Sequence, residues 1–280
     1  MREPAIIETI LNRLGICDES KMHDTPENVI LTRDKYENRR KQEWHYFSVN
    51  VKVNYLARTT RPDILSAVYQ CAKYSIYTKQ YHEEYSKRIW HYLKKTKDKS
   101  LVFTPNGWNG IERYTDADFA GSWCREGADQ FGLVLSRTGY ILKFANFPIV
   151  WVSKVQTEIA LSKTEAEYIS LSQSMRYFIP LRKIMLEVSS VFGMKCDLCN
   201  SYTVTFEDDN GAIELVKEPK YKSRTKNLSI KWYHFREYIK RGTSKIVYIE
   251  TNEQQSYIMT QPLAKPQFEY LCKQIMGWWI

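Results

Sequence analysis

Residues 110–119, GIERYTDADF, and residues 132–154, GLVLSRTGYILKFANFPIVWVSK, decide how this chain folds. The first alternates as a half-buried strand does. The second is rich in Val, Ile, Phe and Tyr, is broken by Gly and by Asn-Phe-Pro, and reads as further strands. Residues 162–188, SKTEAEYISLSQSMRYFIPLRKIMLEV, follow as a long helix that Pro180 is expected to kink or interrupt. Then come a short strand TVTFED (203–208), a helix NGAIELVKE (210–218), a helix LSIKWYHFREYIKRG (228–242), a strand KIVYIET (245–251) and a closing helix over 266–276. Three strands, a helix, a strand, helices, a strand and a helix make a mixed α/β layout.

Upstream the pattern differs. Residues 4–15 and 60–98 read as helical, with Ile64, Val68, Cys71 and Ala72 recurring at spacings of three and four. Asp63, just after Pro62, is placed to serve near a helix start. The stretch HEEYSKRIWHYLKKTKD (82–98) carries Glu early and Lys late, matching a helix dipole. The densest turn signal, TPNGWNG (104–110), marks a boundary between a mainly helical part, 1–105, and the α/β part, 108–280.

Of the 280 residues 43% are hydrophobic, enough for a core and too many for wholesale disorder. No apolar run approaches the roughly 18–20 residues of a membrane span. The start, MREPAIIETILNRLG, lacks a signal-peptide core, so the expected setting is cytoplasmic or nuclear, with no membrane partner. The net charge of +9 is concentrated: residues 217–245 hold ten Lys or Arg against two Glu, a net of +8, interleaved with Tyr221, Trp232, Tyr233, His234, Phe235 and Tyr238. Such a segment suits phosphates and stacked bases; a solvated Lys-rich helix with inward aromatics fits the composition equally well. Cys196 and Cys199 form a lone CxxC without a second pair, which reads as two reduced thiols rather than a metal or redox site.

Three acids stand out by position. Asp116 lies mid-strand, Asp208 ends the strand TVTFED, and Glu167 lies in the first turns of the long helix. Ser162 with Glu165 forms a capping box, which occupies Glu165 at the helix start. Glu167, about 200° further around the helix, is then free to bind a ligand. Three converging carboxylates need cations, and Mg²⁺, a hard ion, is the natural one; two such ions about 3.5–4 Å apart can clamp the oxygens of a phosphodiester. Surface acids at strand ends are the plainer alternative.

The strings TTRPDILSAVYQCAKY, RIWHYLKKTKDKSLVF, YTDADFAGSW, SRTGYILKFANFPIVWVSK, QTEIALSKTEAEYISLS, EDDNGAIELVKEPKYKSRTKNLSIKWYHFREYI and TNEQQSYIMTQPL occur in that order along the chain. In this order they resemble the C-terminal part of a copia-type LTR retrotransposon Pol polyprotein. The resemblance implies a reverse transcriptase thumb and connection remnant over 1–105. Over 108–280 it implies a ribonuclease H-like mixed five-stranded sheet with flanking helices. It also implies hydrolysis of the RNA strand of RNA–DNA hybrids with two Mg²⁺ ions, Mn²⁺ being a substitute. Asp116, Glu167 and Asp208 would be both catalytic and metal-binding. Lys222, Arg224, Lys226, Lys231, Arg236, Lys240 and Arg241 would hold the nucleic acid. The chain departs from the family at several places: Tyr257 and Gln261 stand where an ADIxTKPL motif has Asp and Lys, Asn227 stands for His, Asp209-Asn210 for Asn-Asn or Asn-Gln, and Val51 for Gly. No YxDD polymerase string occurs. The expectation is therefore a nuclease impaired by the lost carboxylate at Tyr257, without polymerase activity; the alternative is a non-catalytic nucleic-acid-binding remnant.

Overall fold

Pro4 sits in the first turn of helix α1 (Pro4–Arg13), where its missing N–H is no loss, and Ile7, Ile10 and Leu11 turn inward at helical spacing. The computed structural model describes residues 3–16, 21–32, 38–40, 44–103, 110–125, 131–193, 203–217 and 236–278. Two units divide the chain: Met1–Phe103 with Ser122–Leu133 and Gln261–Ile280, and Thr104–Gly121 with Val134–Thr260. One edge falls at the turn signal, but the chain's last twenty residues group with the first unit, not with the sheet.

In the first unit, α2 (Tyr46–Thr59) is a helix where the sequence reading assigned none. Val49, Val51 and Val53 alternate as in a strand, yet Val49, Val53, Leu56 and Ala57 are the buried set and Val51 is 50% exposed. A 3₁₀ turn, Pro62–Ile64, leads into α3 (Leu65–Lys73), and α4 (Gln80–Lys95) follows after a break. Asp63 does not cap a helix. It is buried and takes a two-pronged ion pair from Arg61 (2.7 Å at the shortest), plus a hydrogen bond from the Tyr92 hydroxyl at 2.6 Å. Arg61 also donates to the backbone carbonyl and hydroxyl oxygens of Thr96 and lies 5.2 Å from the Trp278 ring centroid. The C-terminal helix, Lys265–Met276, packs Phe268 edge-on against Tyr92.

The second unit holds the mixed five-stranded sheet that the ribonuclease H resemblance implies. Its order is β3-β2-β1-β4-β5, with β1 (Ile111–Asp118), β2 (Arg137–Phe144) and β3 (Phe147–Val155) antiparallel and β4 (Thr203–Glu207) and β5 (Ser244–Tyr248) parallel to β1. Ala145 and Asn146, both at positive φ, make the two-residue hairpin between β2 and β3. The long helix, Lys163–Val191, is not interrupted at Pro180. Its Tyr168, Leu171, Met175 and Phe178 meet Ile111 and Leu142 of the sheet and Ala212, Ile213 and Val216 of the helix Asn210–Lys217. None of the described helices is long and apolar enough to cross a membrane.

Candidate metal centre

The β1–β4 ladder pairs Tyr114 with Phe206 and goes no further. Beyond that pair the strand ends are held by side chains. The Gln254 amide donates to the freed carbonyls of Thr115 (2.8 Å) and Phe206 (3.3 Å), and the Thr115 hydroxyl donates to Glu207 at 2.9 Å. Asp116 and Asp208 sit at the mouth of this divergence. Opposite Asp116 on β2 is Gly139, where an added Cβ would come within 2.6 Å of Thr260 and 3.0 Å of the Ser256 carbonyl. The bare glycine admits the 3₁₀ turn Gln255–Met259, and Thr260 behind it donates its hydroxyl to the Asp116 carboxylate. Ser170 of the long helix donates to the Asp116 backbone carbonyl at 2.9 Å.

Glu167 arrives from that helix. Ser162 accepts the Glu165 N–H, and the Glu165 carboxylate reaches back to the Leu161 N–H at 2.9 Å, one residue before the cap, so it is occupied at the helix start. Glu167 points the other way. Asp116, Glu167 and Asp208 each offer an oxygen within 4.8 Å of the others. Asp208 accepts the Thr251 hydroxyl through one oxygen at 2.7 Å; its other oxygen and both oxygens of Glu167 are buried without a hydrogen-bond partner.

Buried like charges do not tolerate one another. Burial pushes the Asp116 carboxyl up to about 7, with Thr260 opposing and Asp208 adding to the shift. Burial, then the fields of Asp116, Glu207 and Asp208, raise Glu167 well above the carboxylate range. Lys163, at the start of the long helix, is the nearby cation: burial works against its charge, but Asp208, Glu167, Asp209 and Asp116 together raise it. Orphaned, fully buried carboxylate oxygens on rigid elements fit a hard divalent cation, which takes oxygen ligands and removes the repulsion.

Three of the sequence-predicted acids are thus brought together. Tyr257 is half-buried in the 3₁₀ turn beside β1 and β2 and adds no carboxylate. Of the basic residues, Lys222, Arg224, Lys226 and Lys231 lie outside the described residues, as do Asn227, Cys196 and Cys199. Arg236 and Lys240 lie on a helical stretch, 236–240, and Arg241 pairs with Glu237 at 2.8 Å. Sequence reasoning missed Lys163, Glu207, Gln254 and Thr260; only the Thr of the TQPL string carried a signal.

The second unit is thus an α/β domain, a mixed five-stranded sheet with flanking helices that carries an acidic cluster at the diverging ends of two parallel strands. Homologues of the chain include retrovirus-related Pol polyproteins of plant transposons. It is 32% identical over 233 residues to the one from transposon TNT 1-94 of Nicotiana tabacum, covering 83% of this chain and 16% of that polyprotein. To the one from transposon RE1 of Arabidopsis thaliana it is 28% identical over 230 residues, 82% of this chain and 15% of the other. The chain thus spans about a sixth of the length of these relatives. Secreted RxLR effector protein 161 of Plasmopara viticola is 34% identical over 132 residues, 46% of this chain and 85% of that protein. No family model matches. Among solved structures, LC11-RNase H1 from compost aligns with a TM-score of 0.37 and 17% identity over 55% of this chain and 94% of its own. The foamy viral protease-reverse transcriptase in complex with ds DNA aligns with a TM-score of 0.44 and 12% identity over 88% of this chain and 35% of its own.

Proposed function

We propose that the second unit is the ribonuclease H domain of a copia-type element, cutting the RNA strand of RNA–DNA hybrids, and that it works in the cytoplasm or nucleus. The observation that carries this reading is the convergence of Asp116, Glu167 and Asp208 with three buried oxygens left unpaired. These residues would hold Mg²⁺ or Mn²⁺. The bound cations would activate the attacking water and stabilise the leaving oxygen of a phosphodiester. Thr260 and Ser170 fix Asp116 on β1, and Thr251 fixes Asp208. Residues 1–105 correspond to a reverse transcriptase thumb and connection, and the basic segment 217–245 holds the hybrid by its backbone and 2′-hydroxyls.

A second reading, a binding remnant that no longer cuts, is favoured by Tyr257, because a phenol with an ordinary pKa near 10 is neutral at pH 7 and a poor Mg²⁺ ligand. A gel assay on labelled RNA–DNA hybrid with Mg²⁺ separates the two. Under the nuclease reading the protein cleaves, Asp116→Asn does not, and Tyr257→Asp raises cleavage by up to roughly 10²–10³-fold, the scale of one electrostatic group at a reacting centre. Under the remnant reading neither the protein nor Tyr257→Asp cuts, while both retain the hybrid in a salt-dependent shift.

A further inference from the structure

Glu207 is a carboxylate that the three-residue centre does not use. It is the last residue of β4, next to Asp208, and it is 0% exposed on a strand whose other inward residues, Thr203 and Thr205, are neutral. Its two oxygens do different things. Oε2 accepts the Thr115 hydroxyl at 2.9 Å, one residue before Asp116; Oε1 accepts the Asp209 N–H at 3.3 Å, one residue after Asp208. One carboxylate therefore ties the two chain segments that carry two of the three clustered acids, just where the β1–β4 ladder has ended.

Its charge also needs an explanation, because without cations burial first, and then the fields of Asp208 and Asp116, raise its carboxyl well above the carboxylate range against the Thr115 hydroxyl and the Asp209 N–H. Arg113, two residues before Thr115, is fully buried and donates to Thr205 at 2.6 Å, with its other two guanidinium nitrogens unpaired. Burial pushes that guanidinium down to about 9, and the field of Glu207 opposes the fall. Arg113 thus offsets part of the cost of Glu207 without forming an ion pair. A neutral side chain could make the hydrogen bonds to Thr115 and Asp209 without any such cost, so the hydrogen bonds alone do not account for a carboxylate here. The charge is accounted for if cations sit beside it. Four negative charges then surround the site, from Asp116, Glu167, Asp208 and Glu207, although position 257 supplies none.

We propose that Glu207 is a positioning residue of the metal centre and carries the negative charge that Tyr257 does not. It acts at one remove, holding the ends of β1 and β4 and adding its field to that of the three acids. This rests on the metal-binding reading of the centre, and the test keeps the two apart.

Calorimetric titration of the whole chain with Mn²⁺, after chelator treatment, reads the site directly. Glu207→Gln preserves both contacts, since the amide oxygen can accept the Asp209 N–H and the amide nitrogen can donate to Thr115, but it removes the charge. It should weaken Mn²⁺ roughly tenfold, and Glu207→Ala, which also frees the strand ends, roughly a hundredfold, the range seen when groups supporting metal ligands are removed. Adding Tyr257→Asp to Glu207→Gln should return the affinity at least to that of the unsubstituted chain. The metal-free melting temperature of Glu207→Gln should not fall, because burial and the fields of Asp208 and Asp116 already push the metal-free Glu207 carboxyl toward its neutral form, which the amide matches in shape. Unchanged Mn²⁺ affinity in Glu207→Gln, no recovery with Tyr257→Asp, or a lowered metal-free melting temperature each overturns the proposal while the metal centre stands. If the unsubstituted chain itself binds no Mn²⁺, and Asp116→Asn is indistinguishable from it, the metal reading fails and this one with it.

Discussion

Each of the two units buries charge, and they do it in opposite ways. In the first, Arg61 and Asp63 are both nearly inaccessible, yet every strong donor and acceptor is used: Asp63 receives Arg61 and Tyr92, and Arg61 completes its fork on Thr96. In the second, Asp116, Glu167 and Glu207 are as deeply buried, but like charges face one another and both Glu167 oxygens find nothing. A buried charge that is matched is architecture. One left unmatched on rigid elements is where the proposed cation would bind.

The difference is open to breaking, most severely at the paired site. Asp63→Ala strands a buried guanidinium and should cost about 3–5 kcal/mol, read by urea unfolding of the whole chain; the paired change Arg61→Met with Asp63→Leu should recover most of it. A small loss from Asp63→Ala alone would mean that the pair is solvated and the contrast is false.

At the unmatched site pH acts in an unusual direction. Asp116 ordinarily titrates near 3.8 and is raised to about 7 in the folded chain, so between these values the folded state holds more protons than the unfolded one. The stability this contributes is full below the unfolded pKa and is lost as pH rises through 7. With chelator present, unfolding free energy should fall by on the order of 1–3 kcal/mol from pH 5 to pH 8, and saturating Mg²⁺ should remove the dependence. Stability that rises over that interval without metal would show the carboxylates to be solvated.

A smaller effect of opposite sign to Asp63→Ala is expected from Glu167→Gln. Removing one of the repelling carboxylates should raise metal-free stability at pH 8 by about 1 kcal/mol, while abolishing any stabilisation by Mg²⁺. Smallest of all, Val51→Gly on the exposed face of α2 should cost a few tenths of a kcal/mol through helix propensity, about 0.3–0.5 kcal/mol. An unfolding free energy that does not fall on that change, read by urea denaturation, would put the helix in doubt.

Much of the second unit is legible in the sequence because its signals are local. The alternation of GIERYTDADF, the Asn-containing break before FPIVWV, and the Ser162–Glu165 cap each involve residues a few positions apart, and the cap alone separates Glu165 from Glu167. The α2 segment goes unassigned because its local signals conflict. Its alternating valines are a local strand signal, and only packing of Val53 and Leu56 into the first unit overrules it. Glu207 looked like an ordinary strand residue beside Asp208. Its burial and its bond to Thr115 depend on a parallel neighbour 92 residues away.

The acid types and their places on strand, helix and strand end were determined by the sequence alone, since residue identity and short-range periodicity set which side chains leave each element in which direction. That their oxygens meet within 4.8 Å was decided only by tertiary structure. So were the bare Gly139 that lets Thr260 reach Asp116, the Gln254 bridge across the diverging strands, and the charge of Glu207 beside them. These contacts join residues more than forty positions apart, and no local propensity encodes them. They exist because burying the apolar faces of the sheet and the long helix brings those polar ends into one low-dielectric place.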